Sequence, residues 1–133
     1  MKLEKNTIYL IDANVIVRLL VKEPVELYNK SLDFFNLIAN KEIYGIITES
    51  ILMEVYFVLT KGYEIEKNQV IEKLKKLLNM TNIISDEKMV LIETLNILET
   101  KNIDFMDAYL CAKARFETLK IYSFDKDIEK CYK

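Results

Sequence analysis

The sequence predicts an α/β fold, a three-layer α/β/α arrangement with a parallel sheet of four to five strands. Two observations support this prediction. Short apolar, β-branched runs alternate with longer segments of helical periodicity along the whole chain. Alternating strands and helices are typical of a parallel sheet, in which right-handed crossovers place the helices against the sheet. The chain has 133 residues, which is enough for one sizeable core, so we expect a single domain over residues 1–133.

The composition excludes several classes of enzyme. The sequence contains no histidine, which excludes Ser-His and Cys-His catalysis and zinc sites built on imidazole. Catalysis would therefore depend on carboxylates, hydroxyls, lysine or a cofactor. The formal net charge is −2, so the chain has no global basic signature of nucleic-acid binding, and only a local patch could supply one.

The cysteines and the first apolar run indicate a cytoplasmic protein. Cys111 and Cys131 stand at no metal-ligand spacing, and we expect both to be reduced packing residues. Asp12, Asn14 and Arg18 interrupt the first apolar run, and no small-residue cleavage site follows it. No other stretch resembles a membrane span. We therefore expect no membrane association.

The first four elements follow from local patterns. The run Ile8–Ile11 predicts a strand buried on both faces, because it is apolar and partly β-branched. A short helix is expected over 15–20. Pro24 suits the first turn of a longer helix that ends near Asn40. Tyr44–Ile47 is again short, apolar and partly β-branched, which predicts the second strand.

Two helices are predicted next. Thr48 is a candidate cap for a helix over 49–61 that is apolar nearly all round, with Glu54 as its only internal charge. Gly62 is a plausible stop. The next helix, over 66–80, has an apolar face and a lysine-rich face, and the lysines form either a solvated face or a phosphate-contacting patch. These lysines are Lys67, Lys73, Lys75 and Lys76.

The last third of the chain repeats the alternation. Residues 82–84 predict a minimal third strand, and an amphipathic helix follows to about Thr100. A helix rich in small residues then occupies part of 102–114. The run Lys120–Phe124 predicts a fourth strand, and a short terminal helix follows Asp125.

Four acidic residues stand out, and each also has an ordinary structural explanation. They are Asp12, Glu54, Asp107 and Asp125. Asp12 and Asp125 could cap the helices that follow them. Asp104 is a good N-cap with Asp107 at the third helical position, which resembles a capping box. Glu54 is expected to be buried in an apolar helix, which costs several kcal/mol unless the carboxylate is paired or metal-bound.

If strands one and four are neighbours, these side chains can converge at the carboxyl edge of the sheet, where ligands bind in open α/β sheets. Two carboxylates about 4 Å apart repel by about 4 kcal/mol at an effective dielectric of about 20. Such a cluster must bind protons or a cation, and oxygen ligands suit Mg²⁺ or Mn²⁺. Metal-assisted hydrolysis of a phosphodiester is therefore the natural chemistry.

The acidic motifs resemble those of PIN-domain ribonucleases, particularly the VapC-type toxins, in the same order and over nearly the full length. The resemblance implies a compact α/β/α fold and Mg²⁺- or Mn²⁺-dependent endonucleolytic cleavage of RNA that leaves a 5′-phosphate and a 3′-hydroxyl. It also implies a homodimer and inhibition by a small antitoxin protein. The motifs are Ile11-Asp12-Ala13-Asn14, Ile51-Leu52-Met53-Glu54-Val55, Asp104-Phe105-Met106-Asp107-Ala108 and Ser123-Phe124-Asp125-Lys126-Asp127.

The resemblance also implies roles for individual residues. Asp12, Glu54 and Asp107 would hold the main ion, and Asp125 would complete the catalytic site or bind a second ion. Either Asp125 or Asp127 could serve as the fourth acid, because the last motif is the loosest. The supporting positions are Asn14 after the first acid, Ser123 placed to hold a water or a phosphate, Asp104 and Asp127.

Two other functions are compatible with parts of the sequence. A haloacid-dehalogenase-like phosphatase would use Asp12 as its nucleophile, but Asn14 stands where such sites normally have a second acid. A non-catalytic PIN-like module would bind RNA or a protein, but a scaffold has no reason to keep four mutually repelling acids. The sequence predicts neither the RNA target nor the cleavage sequence.

Overall fold

The computed structural model describes residues 3–132 and divides into two compact units, which meet in sequence at Asp86 and Glu87. The first unit contains a parallel sheet whose strands are β1 (Ile8–Leu10), β2 (Tyr44–Ile46) and β3 (Ile83–Ile84). Their order is β1-β2-β3, with Ile8 opposite Tyr44 and Gly45 opposite Ile83. The predicted parallel α/β architecture is confirmed.

Pairs of helices connect these strands. The helices are α1 (Ala13–Val21), α2 (Val25–Ala39), α3 (Glu49–Phe57) and α4 (Lys67–Leu78). α3 continues into a π-helical turn, Val58–Gly62. Thr48 caps α3 as predicted, because its Oγ1 accepts a hydrogen bond of 3.3 Å from the backbone N–H of Ile51.

The apolar faces of these helices form the core of the first unit. α4 buries the side chains that its period predicts and exposes Lys73 and Lys76. A carboxylate caps its first turn, since the two Glu66 oxygens accept hydrogen bonds of 3.0 Å from the backbone N–H groups of Asn68 and Gln69. The fully buried side chains of the unit include Ile16, Leu52, Val55, Val70, Ile71, Leu78 and Ile83.

Gly45 lies at the middle of β2, the central strand, because the packing there has no room for a side chain. A Cβ at this position would lie 2.6 Å from Cδ1 of Ile11, 2.9 Å from Cδ1 of Ile38 and 3.2 Å from Cδ1 of Ile83. The close approach of these isoleucines fills the space that a side chain would occupy, so the strand and its neighbours pack tightly through this glycine.

The second unit consists of α5 (Lys88–Thr100), α6 (Phe105–Glu117) and a 3₁₀ helix, Lys126–Tyr132. α5 and α6 pack against each other through buried leucines and small residues. Polar contacts add to this packing. The carboxylate of Glu87 accepts hydrogen bonds from the Lys113 ammonium (2.8 Å) and from the Tyr109 hydroxyl (2.6 Å), and these bonds, that of Lys113 most, lower the pKa of Glu87.

Two predictions about strands are wrong. β1 is not buried on both faces, because Ile8 and Leu10 are exposed. Within residues 3–132 it is also an edge strand, since it pairs only with β2. The described sheet has three strands and not four to five, because Lys120–Phe124 forms no strand. A β-branched and aromatic run favours extended backbone, but a strand also needs a neighbour with which it can form a ladder.

The cysteines are packing residues, as predicted, but they are not reduced. Cys111 on α6 and Cys131 on the 3₁₀ helix are both buried, and their sulfur atoms are bonded to each other. Their Cα atoms lie 5.9 Å apart, a separation that disulfide geometry allows. The bond links the C-terminal 3₁₀ helix to α6.

Over the described part of the chain, no helix is both long enough and apolar enough to cross a membrane.

Candidate functional site

Three carboxylates of the second unit lie together. One oxygen each from Asp107, Asp125 and Asp127 lies within 4.8 Å of the others. We call these three residues the acidic cluster. Asp107 is partly buried, Asp125 is exposed and Asp127 is partly exposed. The cluster therefore has one enclosed member and an open side.

The sequence around Asp125 folds into consecutive hydrogen-bonded turns. The Ser123 hydroxyl accepts a hydrogen bond of 3.0 Å from the Asp125 N–H, and Oδ1 of Asp125 accepts one of 2.9 Å from the Asp127 N–H. Short polar side chains favour such turns because they bond to backbone N–H groups two residues away. The structural explanation for Asp125 is therefore correct, since it caps the 3₁₀ helix. Ser123 is also occupied in positioning Asp125.

Asp107 belongs to the first turn of α6, and its environment opposes ionisation. Partial burial raises its pKa most, followed by the negative charges of Asp125, Asp104 and Asp127 and a hydrogen bond with Asp125. Lys130 offsets part of this negative charge, because its Nζ lies 3.0 Å from Oδ1 of Asp127. The cluster nevertheless favours binding either a proton or a cation.

The environment of one oxygen atom in the acidic cluster indicates that a divalent cation would fit there. Oδ2 of Asp107 is enclosed and has no hydrogen-bond partner among residues 3–132, whereas buried polar atoms normally have one. Two ligands of a single Mg²⁺ lie at most about 4.2 Å apart, so small movements would bring the three oxygens within reach of one ion. Oxygen donors suit Mg²⁺ and Mn²⁺. The residues fit a divalent cation.

Asp12 and Asn14 belong to the first unit, at the start of α1. Both are exposed, and both line a cleft of about 840 Å³ between β1, α1 and α2. Asp12 occupies the N-cap position of α1, but its side chain makes no capping hydrogen bond. The ordinary explanation for Asp12, helix capping, therefore lacks its defining contact.

Glu54 also belongs to the first unit, and the prediction that it is buried is wrong. α3 buries Leu52, Val55 and Tyr56, whereas Glu54 is exposed. At about 100° per residue, Glu54 points away from the face shared by the other three side chains. An exposed carboxylate has no burial cost, so burial gives no reason to assign Glu54 to a metal.

The structure also reveals an enclosed carboxylate that the sequence did not indicate. Oε2 of Glu49, the first residue of α3, is enclosed and has no hydrogen-bond partner in the described chain. An acid in the first helical turn is common because it favours the helix dipole. The position of Glu49 in the sequence therefore does not indicate that its side chain is enclosed.

Asp104 does not form the predicted capping box. It stands at the N-cap position of α6, but its side chain makes no capping hydrogen bond. Its effect on the site is electrostatic, because its negative charge contributes to the raised pKa of Asp107.

Comparison with known proteins identifies the family. The PIN domain model matches residues 9–133, almost the whole chain from the second residue of β1 onward. No curated protein and no solved structure matches the chain. The match includes all three residues of the acidic cluster and favours nuclease chemistry over the haloacid-dehalogenase-like alternative. The chain belongs to the PIN domain family.

Proposed function

We propose that this chain is a Mg²⁺- or Mn²⁺-dependent endoribonuclease. The observation that supports the proposal most is the acidic cluster, with its enclosed and unpartnered Asp107 oxygen, in a chain of the PIN domain family. PIN domains are generally metal-dependent nucleases. The predicted chemistry, the family and the clustered carboxylates are mutually consistent.

In this proposal Asp107, Asp125 and Asp127 hold the cation. When bound, it supplies activation of water and neutralises the charge that develops on the phosphodiester. Asp107 then has to be ionised, and a cation favours the ionised carboxylate. Asp125 contributes the oxygen that does not cap the 3₁₀ helix. Lys130 fixes the orientation of Asp127 through the ion pair at 3.0 Å.

We also propose that Asp12, Asn14 and Glu54 take part in the same reaction. The support for Asp12 is its match to the first acidic motif, its exposure at a cleft and the lack of a capping bond. The support for Glu54 is the motif match alone. Cleavage would leave a 5′-phosphate and a 3′-hydroxyl, as in the nucleases that the motifs resemble.

The biological setting is a further part of the proposal. We propose a toxin of a toxin–antitoxin pair that acts in the cytoplasm, forms a homodimer and is inhibited by a small antitoxin protein. These assignments rest on the resemblance of the four motifs to VapC-type toxins. A small reading frame directly upstream, whose product suppresses the activity when both are expressed, would support the pairing.

The test of the catalytic proposal compares acid-to-amide variants. Wild type, Asp107→Asn, Asp12→Asn and the control Asp86→Asn are incubated with diverse single-stranded and structured RNAs plus Mg²⁺ or Mn²⁺. Asp86 is an exposed acid outside the motifs. We expect the first two variants to cleave at least about 10- to 100-fold more slowly, because they remove a carboxylate that holds or assists the cation, and loss of a group that merely supports a metal ligand already costs that much. Asp86→Asn should retain the wild-type rate.

Two results would contradict the proposal. One is the absence of cleavage by wild type with either metal on every RNA tested. The other is equal cleavage by wild type, Asp107→Asn and Asp12→Asn. Isothermal titration calorimetry tests the assignment of Asp107 as a metal ligand without requiring cleavage. Asp107→Asn should lose the heat of Mn²⁺ binding that wild type shows.

A further inference from the structure

Two aromatic side chains next to the acidic cluster are almost completely exposed. The side chains of Tyr122 and Phe124 are 88% and 91% exposed, and their ring centroids lie 5.6 Å apart at an interplanar angle of 71°. We call these two residues the aromatic pair. Scattered exposed apolar residues are ordinary, but two neighbouring exposed rings beside a cluster of polar groups are a candidate contact surface.

The backbone connects the aromatic pair directly to the acidic cluster. Phe124 precedes Asp125, and Ser123, between the two rings in sequence, accepts the hydrogen bond from the Asp125 N–H. Three residues of extended chain span at most about 11 Å, so both rings lie within two or three nucleotides of a phosphate at the cluster. The turn that positions Asp125 also positions the rings.

The charge of the chain explains why such a surface is needed. The net charge of −2 leaves no net positive field for the phosphates of RNA, because 21 acidic residues outnumber the 19 lysines and arginines. Both arginines are engaged within the protein. Arg18 donates to the Glu23 carbonyl and the Tyr63 hydroxyl, and Arg115 contacts Glu93 and the Cys131 carbonyl. An interaction that does not depend on charge would therefore add to the affinity for RNA.

We propose that the aromatic pair stacks on nucleobases of single-stranded RNA beside the bond that is cleaved. The proposal rests on the ribonuclease function proposed above and adds a base-stacking subsite formed by the aromatic pair. Stacking on aromatic side chains tolerates every base, because each base has a π-face. Bases inside a duplex are already stacked and cannot reach the rings.

Binding to labelled RNA, followed by fluorescence anisotropy, tests the aromatic pair without requiring cleavage. The measurements use Mn²⁺ and an Asp12→Asn background, which keeps the acidic cluster. In that background Tyr122→Ala and Phe124→Ala should each weaken binding to single-stranded RNA about 5- to 100-fold. Neither should change affinity for a duplex of the same sequence or the heat of Mn²⁺ binding.

Two further variants show whether the rings themselves matter. Tyr122→Phe should bind like its parent, because stacking uses the ring and not the hydroxyl. Phe116→Ala removes an exposed aromatic ring of α6 outside the pair and should also bind like its parent. Circular dichroism should show that all variants are folded, since the altered side chains are exposed.

The proposal would be overturned by three results. These are no binding of single-stranded RNA by the parent, unchanged binding by both alanine variants, or an equal loss of binding in Phe116→Ala. Unchanged RNA binding by alanine variants whose dimer dissociates in sedimentation would assign the aromatic pair to a protein interface. If RNA binds through the pair but wild type cleaves nothing, the nuclease proposal fails and the stacking surface stands.

Discussion

The carboxyl group of Asp107 is partly buried and faces three other acids, and its pKa is raised from its ordinary value of 3.8. Folding therefore makes protonation of Asp107 easier than it is in the unfolded chain. Asp107 contributes to stability fully below the unfolded pKa, and this contribution is lost as the pH rises through the higher folded pKa. At neutral pH without metal, its negative charge opposes folding.

Because ionised Asp107 opposes folding, a substitution that inactivates the enzyme at this position is predicted to stabilise the metal-free protein. With a chelator present at pH 7, Asp107→Asn should unfold at a higher temperature than wild type, because the amide removes the repulsion between Asp107 and the neighbouring carboxylates. The difference between the two unfolding temperatures should decrease towards pH 4. Mn²⁺ at about 100 times its dissociation constant should stabilise wild type by about 2.7 kcal/mol and leave the variant unchanged. Thermal unfolding followed by circular dichroism measures both effects.

The control for this prediction is Asp86→Asn, which should follow wild type with and without Mn²⁺. A metal-free Asp107→Asn protein that is less stable than wild type at pH 7 would show that repulsion within the acidic cluster is not the dominant effect. The interpretation of Asp107 as the electrostatic centre of the site would then be wrong.

The residues of the site show what sequence reasoning can supply. Residue types and order indicated oxygen ligands for a cation, and the Ser-x-Asp-x-Asp motif left Asp125 and Asp127 as alternatives. The structure brings both to Asp107, because short-range turns place them side by side. The enclosure of Glu49 and the exposure of Glu54 depend on the surrounding packing, and local sequence does not encode that.

At the scale of single elements, α3 illustrates why a helical pattern gives the helix but not always its orientation. Nearly every side of α3 carries apolar residues, so the sequence alone could not indicate which face is buried. The structure buries the face of Leu52, Val55 and Tyr56. Glu54 projects from the opposite side.

The central strand offers a prediction about packing. Gly45→Ala should destabilise the protein by about 1–3 kcal/mol, because the new methyl group meets Ile11 and Ile38 at less than 3.0 Å and the core has to shift. The other glycine, Gly62, is a matched control, since a Cβ there would lie 4.0 Å from its nearest neighbour, Val58. Urea denaturation of the two alanine variants and wild type measures the difference.

Gly62→Ala should be neutral or slightly stabilising, by up to about 1 kcal/mol, because alanine restricts the unfolded chain. Equal stability of Gly45→Ala and wild type would mean that the isoleucines rearrange at no cost. The tight packing inferred for β2 would then be incorrect.

The strands mark the limit of sequence-based prediction for this fold. β1, β2, β3 and the helices were predictable because their periodicities are local. The stretch Lys120–Phe124 has the same composition as a strand, but pairing depends on residues far away in sequence. The predicted fourth strand is therefore absent from the described chain, and its aromatic residues are exposed instead.

Considered as a whole molecule, the protein is acidic, with a sequence pI of about 5.3. RNA is also negatively charged, so long-range electrostatics oppose the encounter. A cation held by the acidic cluster would reverse the sign of the electrostatic potential close to the cluster. The exposed lysines of α4 are the alternative source of attraction, although Lys76 is paired with Glu72 at 3.5 Å.

This charge balance predicts that RNA binding depends on divalent metal and only weakly on salt. In the Asp12→Asn background, EDTA should greatly weaken binding of single-stranded RNA. With Mn²⁺ present, a plot of log affinity against log salt should have a slope shallower than about −2, because few phosphates are neutralised by side chains. Anisotropy titrations at several KCl concentrations measure both.

Tight binding in EDTA with a steep salt slope would contradict this prediction and indicate a basic interface. The variant Lys73→Gln/Lys76→Gln would then identify it, since loss of the steep slope in that variant would assign phosphate contacts to α4. With the expected shallow slope, the same variant serves as the control that binds like its parent.

Because Tyr122 is almost completely exposed, its position is also suited to a fluorescent reporter of RNA binding. The sequence contains no tryptophan, so Tyr122→Trp would introduce a single indole at the edge of the acidic cluster. Light emitted on selective excitation of that indole would come from this one loop, without background from the core. Quenching of this fluorescence by a stacked base would then measure the rate of RNA binding separately from the rate of cleavage.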